Sequence, residues 1–182
     1  MTSTFLIALS HSRVLATIPK IVDEFNVLYQ INNVKQNTAG QALGPAIGRY
    51  PEDTYDGNGS SRGNPWFVCT TALAEFYYRL VWHYKNAQSI LVTPLSITFF
   101  NFIGVNNVDI NSRYEAGSPQ FLTIVNTLVT RGDEVIRRVQ YHSDHGRVRE
   151  QFNRNSGFAQ GAMDVTWTYT AIMTASRARN RI

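Results

Sequence analysis

Apolar residues recur along this chain mainly at helical spacing. Val14, Ile18, Ile21, Val22, Phe25, Leu28 and Tyr29 share one face of a 3.6-residue period, which predicts a first amphipathic helix. Pro19 lies inside that run and predicts a kink or a delayed start, because proline has no N–H and crowds the preceding turn. Asn64-Pro65 predicts a second helix start, an N-cap followed by proline at the first helical position, ahead of the stripe Leu73, Phe76, Tyr77, Leu80, Val81 and Tyr84. Thr93-Pro94 repeats the signal before Leu95, Phe99, Phe100 and Ile103, and Gly104 closes that short helix. Ser118-Pro119 opens a fourth, with Leu122, Val125, Leu128, Val129, Val135, Ile136 and Val139 on one face and Gly132 as a weak point. Asp164 predicts the cap of a last helix carrying Trp167, Ala171, Ile172 and Ala175.

Between these helices lie two long polar segments, 30–63 and 143–163, both beyond the usual connection length. No stretch is rich in strand signals, and no repeat recurs at a fixed period. The expected fold class is all-α, with about five helices joined by alternating long and short connections. Helix pairs with a long loop at one end are the repeating unit of a toroidal helical barrel. Five helices do not close such a ring, so the pattern fits a small irregular helical domain or part of a larger barrel.

Composition narrows this only a little. With 182 residues, 43% hydrophobic and 16% charged, the chain is one globular domain's worth and not a disordered sequence. The net charge of +4 draws on arginines near the C-terminus, Arg147, Arg149, Arg154, Arg177, Arg179 and Arg181. Solvated charge, with Arg177 and Arg179 placed favourably at a helix C-terminus, accounts for them better than an anionic partner does, so no nucleic-acid partner is expected. The single cysteine, Cys69, forms no disulfide within the chain and falls in an apolar helix with no histidine at a recognisable spacing. No run approaches the roughly 20 apolar residues of a membrane span. Met1-Thr-Ser-Thr-Phe-Leu-Ile-Ala-Leu-Ser10 lacks the basic leader of a signal peptide and reads as part of a segment that began further upstream.

The candidate chemistry gathers in the long segments. Residues 48–67 place Arg49, Glu52, Asp53, Tyr50, Tyr55 and Trp66 around one loop ahead of a helix. Carboxylates and guanidinium groups hydrogen-bond sugar hydroxyls, and flat rings stack on the apolar face of a pyranose. The same residues also suit an ordinary turn with a surface ion pair. Glu150, in Val-Arg-Glu-Gln-Phe-Asn-Arg-Asn-Ser-Gly-Phe158, is a solvated glutamate or a base; flanking Arg149 and Arg154 would favour its ionised form. His142, Asp144 and His145 offer metal-ligand types at a helix end, where helix C-terminal chemistry is the stronger reading, and no metal or cofactor is expected. Gly57, Gly59 and Gly63 are not a phosphate loop, since no Gly-Lys-Ser/Thr follows. Asn58-Gly59-Ser60 is a glycosylation sequon that matters only in a secreted chain.

Three segments in the same order resemble the glucoamylases, family 15 of the glycoside hydrolases, the inverting exo-acting α-glucosidases of fungi and yeasts. They are Leu28-Tyr-Gln-Ile-Asn-Asn33; Gly48-Arg-Tyr-Pro-Glu-Asp-Thr-Tyr55 with Gly63-Asn-Pro-Trp-Phe67; and Glu150-Gln-Phe-Asn-Arg-Asn-Ser-Gly-Phe158 with Thr166-Trp167 and the ending Arg-Ala-Arg-Asn180. The resemblance runs from about residue 12 to the end. It implies the C-terminal part of an (α/α)6 barrel, with residues 1–182 as a single partial catalytic domain. It implies an α-glucan or malto-oligosaccharide substrate, cut from non-reducing ends with release of β-glucose. By position, Glu150 matches the general base, Arg49 and Asp53 match residues that hold the sugar beside the scissile bond, and Tyr55 and Trp66 match aromatics of the same pocket. The family's general acid sits in a Trp-Glu-Glu string that this sequence does not contain, so a fragment is expected, as is self-association through uncovered helix faces. The alternative is a glucan-binding or structural remnant without catalysis. Location, by resemblance, is secreted, vacuolar or intracellular.

Overall fold

The computed structural model describes residues 9–182; most of the N-terminal segment considered above, residues 1–8, lies outside them. Five helices carry the fold: α1 (Ser12–Leu28), α2 (Phe67–Ala87), α3 (Ile97–Ile103), α4 (Pro119–His142) and α5 (Thr166–Arg179). The all-α expectation holds, with one addition. Two short antiparallel ribbons join helices: β1 (Ser89–Leu91) with β2 (Arg113–Glu115), and β3 (Arg149–Phe152) with β4 (Ala159–Met163). No helix among the described residues is long and apolar enough to cross a membrane.

The predicted stripes form the core, with shifts that have physical reasons. α1 runs unbroken through Pro19, which lies on the buried face with Leu15, Val22 and Phe25, while Ile21 faces out. The Pro19 ring adds apolar surface to that face, which offsets the helix bond that proline cannot donate. In α4 the buried stripe includes Phe121, Ile124 and Leu128 and continues through Arg138 and His142; Leu122 is exposed. Trp167, expected inside, is also exposed. Gly132 is not a weak point. A Cβ there would collide with the Tyr78 ring, so the glycine lets α4 approach α2 closely. Tyr78 then reaches Asp133 at 2.8 Å, and Arg179 from α5 pairs with the same carboxylate at 2.8 Å, tying α2, α4 and α5 together.

Ser118-Pro119 starts α4 as predicted, its hydroxyl accepting from the Phe121 N–H. Thr93-Pro94 instead makes a turn. Thr93 and Ser96 exchange hydrogen bonds of 2.9 and 3.1 Å between each backbone N–H and the other's hydroxyl, and α3 begins at Ile97. Asn64 does not cap α2, which starts two residues past Pro65 with Trp66 at its N-cap. Asp164 does not cap α5 either; it accepts from Tyr169 and Arg147 at the mouth of the β3–β4 ribbon.

Connectivity sets the geometry. The segment after α1 leads into α2, and the segment after α4 leads into α5. These two segments bond to each other, so the C-termini of α1 and α4 and the N-termini of α2 and α5 share one end. The β1–β2 ribbon and α3 occupy the other, where Phe99, Phe100 and Ile103 are wholly buried.

Candidate functional site

The loop end is stitched by backbone and by one buried amide. The Ile31 N–H donates to the Arg154 carbonyl at 2.9 Å, and the Phe152 N–H donates to the Pro65 carbonyl at 3.1 Å. Asn64 donates to the Asp56 carbonyl at 3.1 Å and to Gln151 Oε1 at 3.0 Å, and accepts from the Arg154 N–H at 3.1 Å. It therefore bridges the two long segments, a role the Asn-Pro pair concealed. Gly57 and Gly161 meet where the segments cross; a Cβ on Gly57 would lie 2.8 Å from Gly161 Cα, closer than side-chain carbons approach.

Within this frame the structure brings the predicted residues together. Arg49 grips Asp53 through two bonds of 2.8 and 2.7 Å, Nε to Oδ2 and Nη2 to Oδ1. The Tyr55 N–H donates to Asp53 Oδ1 at 3.0 Å. Asp53 is 4% exposed, so its charge needs these partners. The Arg49 guanidinium, with help from the Tyr55 N–H, holds its carboxyl below the usual carboxylate range against the opposing effect of burial. The same bonds raise Arg49 above its ordinary value. Glu52, the neighbouring candidate, is exposed and takes no part in this pair.

Three rings surround the cation. The Arg49 carbon lies 4.5 Å from the centre of the Trp66 ring, 5.6 Å from Tyr55 and 5.5 Å from Tyr50. Tyr55 and Trp66 are 6.0 Å apart and tilted by 43°. Trp66 Nε1 is buried without a well-formed hydrogen bond, though the indole still adds to the stabilisation of the Asp53 charge. Tyr55 completes the chain of contacts, its hydroxyl donating to Glu150 Oε2 at 3.1 Å across 95 residues of sequence. Burial, then the Glu150 carboxylate, push the Tyr55 phenol upward, so it stays a donor.

Glu150 is 6% exposed and sits on β3, where Trp66 pairs with the next residue, Gln151. Neither flanking guanidinium hydrogen-bonds the Glu150 carboxylate. Arg149 donates to the Gly161 carbonyl, and Arg154 to the carbonyls of Leu28, Arg62 and Gly63, so both guanidinium groups serve the backbone. A Cβ on Gly161 would stand 2.9 Å from Glu150 Oε2, so the absent side chain keeps that oxygen uncrowded.

Other candidates fall elsewhere. His142 is buried and stacked on Phe152, with centroids 4.7 Å apart, while His145 is exposed and paired with Asp144. Among the described residues no cluster of histidine, cysteine, aspartate and glutamate could hold a metal ion. Cys69 is partly buried, and burial pushes its thiol up to about 11, away from thiolate chemistry. Missing from the sequence reading is Arg138, 1% exposed with no carboxylate partner. It donates to the carbonyls of Gly44 at 2.7 Å, Val34 at 2.6 Å and Ile31 at 3.3 Å, and so anchors the first long segment to α4.

Stacked helices whose long loops meet at one end, bearing paired guanidinium and carboxylate groups under aromatic rings, are what part of an α/α barrel with a polar, aromatic loop end presents. Comparison with known proteins makes this specific. The model of the glycosyl hydrolases family 15 matches residues 3–177. The chain is 36% identical over 176 residues to a glucoamylase of Blastobotrys adeninivorans, covering 95% of this chain and 28% of that protein. It is 36% identical to glucoamylase GLA1 of Saccharomycopsis fibuligera, over 89% of this chain and 33% of that one. The solved glucoamylase from Saccharomycopsis fibuligera superposes with a TM-score of 0.86 at 31% identity, over 100% of this chain and 38% of that structure. The family 15 glucoamylase from Hypocrea jecorina gives 0.80 at 34% identity, over 94% of this chain and 27% of that structure. This chain belongs to glycosyl hydrolases family 15, and it spans about a third or less of the length of these curated relatives.

Proposed function

We propose that this chain forms the base-bearing side of an inverting α-glucan hydrolase site, acting on malto-oligosaccharide or starch-like chains from the non-reducing end. Glu150 is the general base that activates water. Arg49 and Asp53 hold the hydroxyls of the sugar at the scissile bond, and Tyr55 and Trp66 pack on its apolar face. The observation that carries this reading is the bond from Tyr55 to Glu150, which joins the Arg49–Asp53–Trp66 group to a carboxylate on the other loop.

Inversion needs a second carboxyl group, roughly 6.5–9.5 Å from the base, to protonate the leaving oxygen. Asp53 does not suit that role, since its bidentate partner keeps it ionised. We place the acid in the part of the family's length that these 182 residues do not span. A second reading, a module that holds glucan without cutting it, is favoured because Asp53, the other buried carboxylate of the cluster, is kept ionised by Arg49. Exposed Val27, Leu122, Trp167 and Met173 would support self-association or packing against further barrel helices.

Calorimetric titration of the chain with maltotriose tests the reading. Saturable binding is expected, weakened about tenfold or more by Asp53→Asn or Trp66→Ala and little changed by Glu52→Gln. Equal binding by all four proteins would overturn the assignment. Adding maltoheptaose and assaying glucose separates catalysis from holding: release abolished by Glu150→Gln marks the chain as catalytic by itself, and binding without release favours the module.

A further inference from the structure

Three polar groups with hydrogen-bonding capacity to spare border one cavity. It holds about 240 Å³, lies between α1 and α4, and is roofed by residues of the segment 32–45. Gly44 seats that roof on α4. A Cβ there would stand 2.6 Å from Val135 Cγ2, and the Gly44 N–H donates to the Glu134 carbonyl at 2.8 Å. Arg138 fixes the same roof through the carbonyls of Gly44 and Val34.

Asn26, on α1, has its Oδ1 buried with no hydrogen-bond partner. Tyr77, on α2, is 2% exposed, and its hydroxyl bonds to nothing among the described residues. Arg138 faces Gly44, Ile31, Val34 and His142, four contacts from the about five N–H groups of a guanidinium. Buried polar groups are rarely left unpaired, and several around one space point to a bound water or ion. The charges select an ion. Lys35, Arg131 and Arg138 put three cations on the lining, and the one carboxylate there, Glu134, is already paired with Arg131 at 2.8 Å. Burial pushes Arg138 down to about 10, the direction of a cation with no counter-charge beside it. Lys35 is exposed at the rim and pairs with no acid among the described residues.

We propose that this cavity binds a phosphate group, free or carried on a small ester. Phosphate oxygens accept from Lys35, Arg138 and the Tyr77 hydroxyl. A P–O–H on the same group donates to Asn26 Oδ1, which chloride or a carboxylate could not do. Bonds between a guanidinium or ammonium and phosphate are charge-assisted and so among the strong ones. The bound group joins α1, α2, α4 and the roof segment at one centre. None of these residues belongs to the cluster around Glu150, so the site stands apart from the glucan reading.

Calorimetric titration with inorganic phosphate and with glucose 6-phosphate, in chloride buffer at fixed ionic strength, tests it. The proteins are the unmutated chain, Lys35→Gln, Tyr77→Phe, and Lys85→Gln as a control at an exposed lysine outside the lining. Circular dichroism checks that each is folded; Lys35 is at the surface, so its variant keeps the test open if Tyr77→Phe does not fold. Saturable binding of at least one probe is expected, weakened about tenfold by Lys35→Gln and by Tyr77→Phe and unchanged by Lys85→Gln. Tighter binding of inorganic phosphate assigns the site to the free ion, and tighter binding of the ester assigns it to a sugar phosphate. Absence of saturable binding by either probe overturns the proposal and leaves a cavity that holds water. Binding that the folded Lys35→Gln and Tyr77→Phe proteins retain in full overturns it as well, since the phosphate then sits elsewhere.

Discussion

The two ends of the helix stack solve the same problem with different material. At the end holding α3, the connections bury Phe99, Phe100 and Ile103, and side-chain bonding there is largely serine and threonine hydroxyl chemistry around Thr93 and Ser96. No ion pair forms between residues 88 and 118, all of which are described. At the loop end, Asp53, Asn64, Glu150 and Gln151 are all buried, and they are held by buried or partly buried bonds, with Gln151 Nε2 left without one. Buried polar groups weaken a fold unless each is paired. An end that only had to join helices would resemble the α3 end. The loop end tolerates buried charge, which a binding or catalytic site would need and a plain connection would not.

This contrast can be broken from either side. The largest expected effect is at the α3 end: Phe99→Ala should cost about 3–5 kcal/mol of stability through the cavity it leaves, with maltotriose affinity of the remaining folded protein unchanged. Chemical denaturation and calorimetry together check both halves. Asn64→Ala comes next. It strands Gln151 Oε1 and the Arg154 N–H, while the Asp56 carbonyl keeps its bond from Gln160, and should cost about 2–3 kcal/mol while also loosening the loop site, so stability and affinity fall together.

His142 gives a pH-dependent test of similar size. Burial, then the nearby Arg138 charge, lower its pKa from 6.5 to about 4. The unfolded chain therefore binds more protons between those values. Stability is fully present above about pH 6.5 and declines as pH falls toward about 4, by at most ~1.4 kcal/mol per pH unit. His142→Phe keeps a ring on Phe152 and should flatten this slope in urea melts between pH 4 and 7. An unchanged slope would show that other groups set it. Asp53 has the same sign at lower pH: its contribution is present above the ordinary carboxylate range and is lost as pH falls through its depressed folded value. The smallest effect is Tyr55→Phe, which removes one hydrogen bond to Glu150 and should cost about 1 kcal/mol or less.

The site was more legible in the sequence than the frame that holds it. Arg49, Asp53, Tyr55 and Trp66 stand close together in one loop, where residue type suits either a sugar or an ordinary turn, and the resemblance of the segment chose between them, as it did for Glu150. Asn64 was misread because Asn-Pro is a helix-start signal, and nothing local reveals that its amide reaches 87 residues away. Arg138 went unmarked and the burial of His142 unforeseen because hydropathy patterns treat charged and polar residues as surface. A trace existed: His142 falls seven residues after Val135 and fourteen after Leu128, on the buried stripe of α4. The β3–β4 ribbon escaped notice because Ala159-Gln-Gly-Ala-Met163 has weak strand propensity, and its pairing depends on the loop contacts around it.

The central claim is that Glu150 is the base of an inverting glucan hydrolase completed by the rest of a family 15 barrel. The direct measurement replaces the matching segment of glucoamylase GLA1 of Saccharomycopsis fibuligera with these 182 residues and assays glucose release from maltoheptaose, following the anomer by NMR. The account predicts β-glucose as first product and a loss of about 10²–10⁴-fold on Glu150→Gln. A folded chimera that releases glucose equally well with glutamine at position 150, or one that releases none, would contradict it.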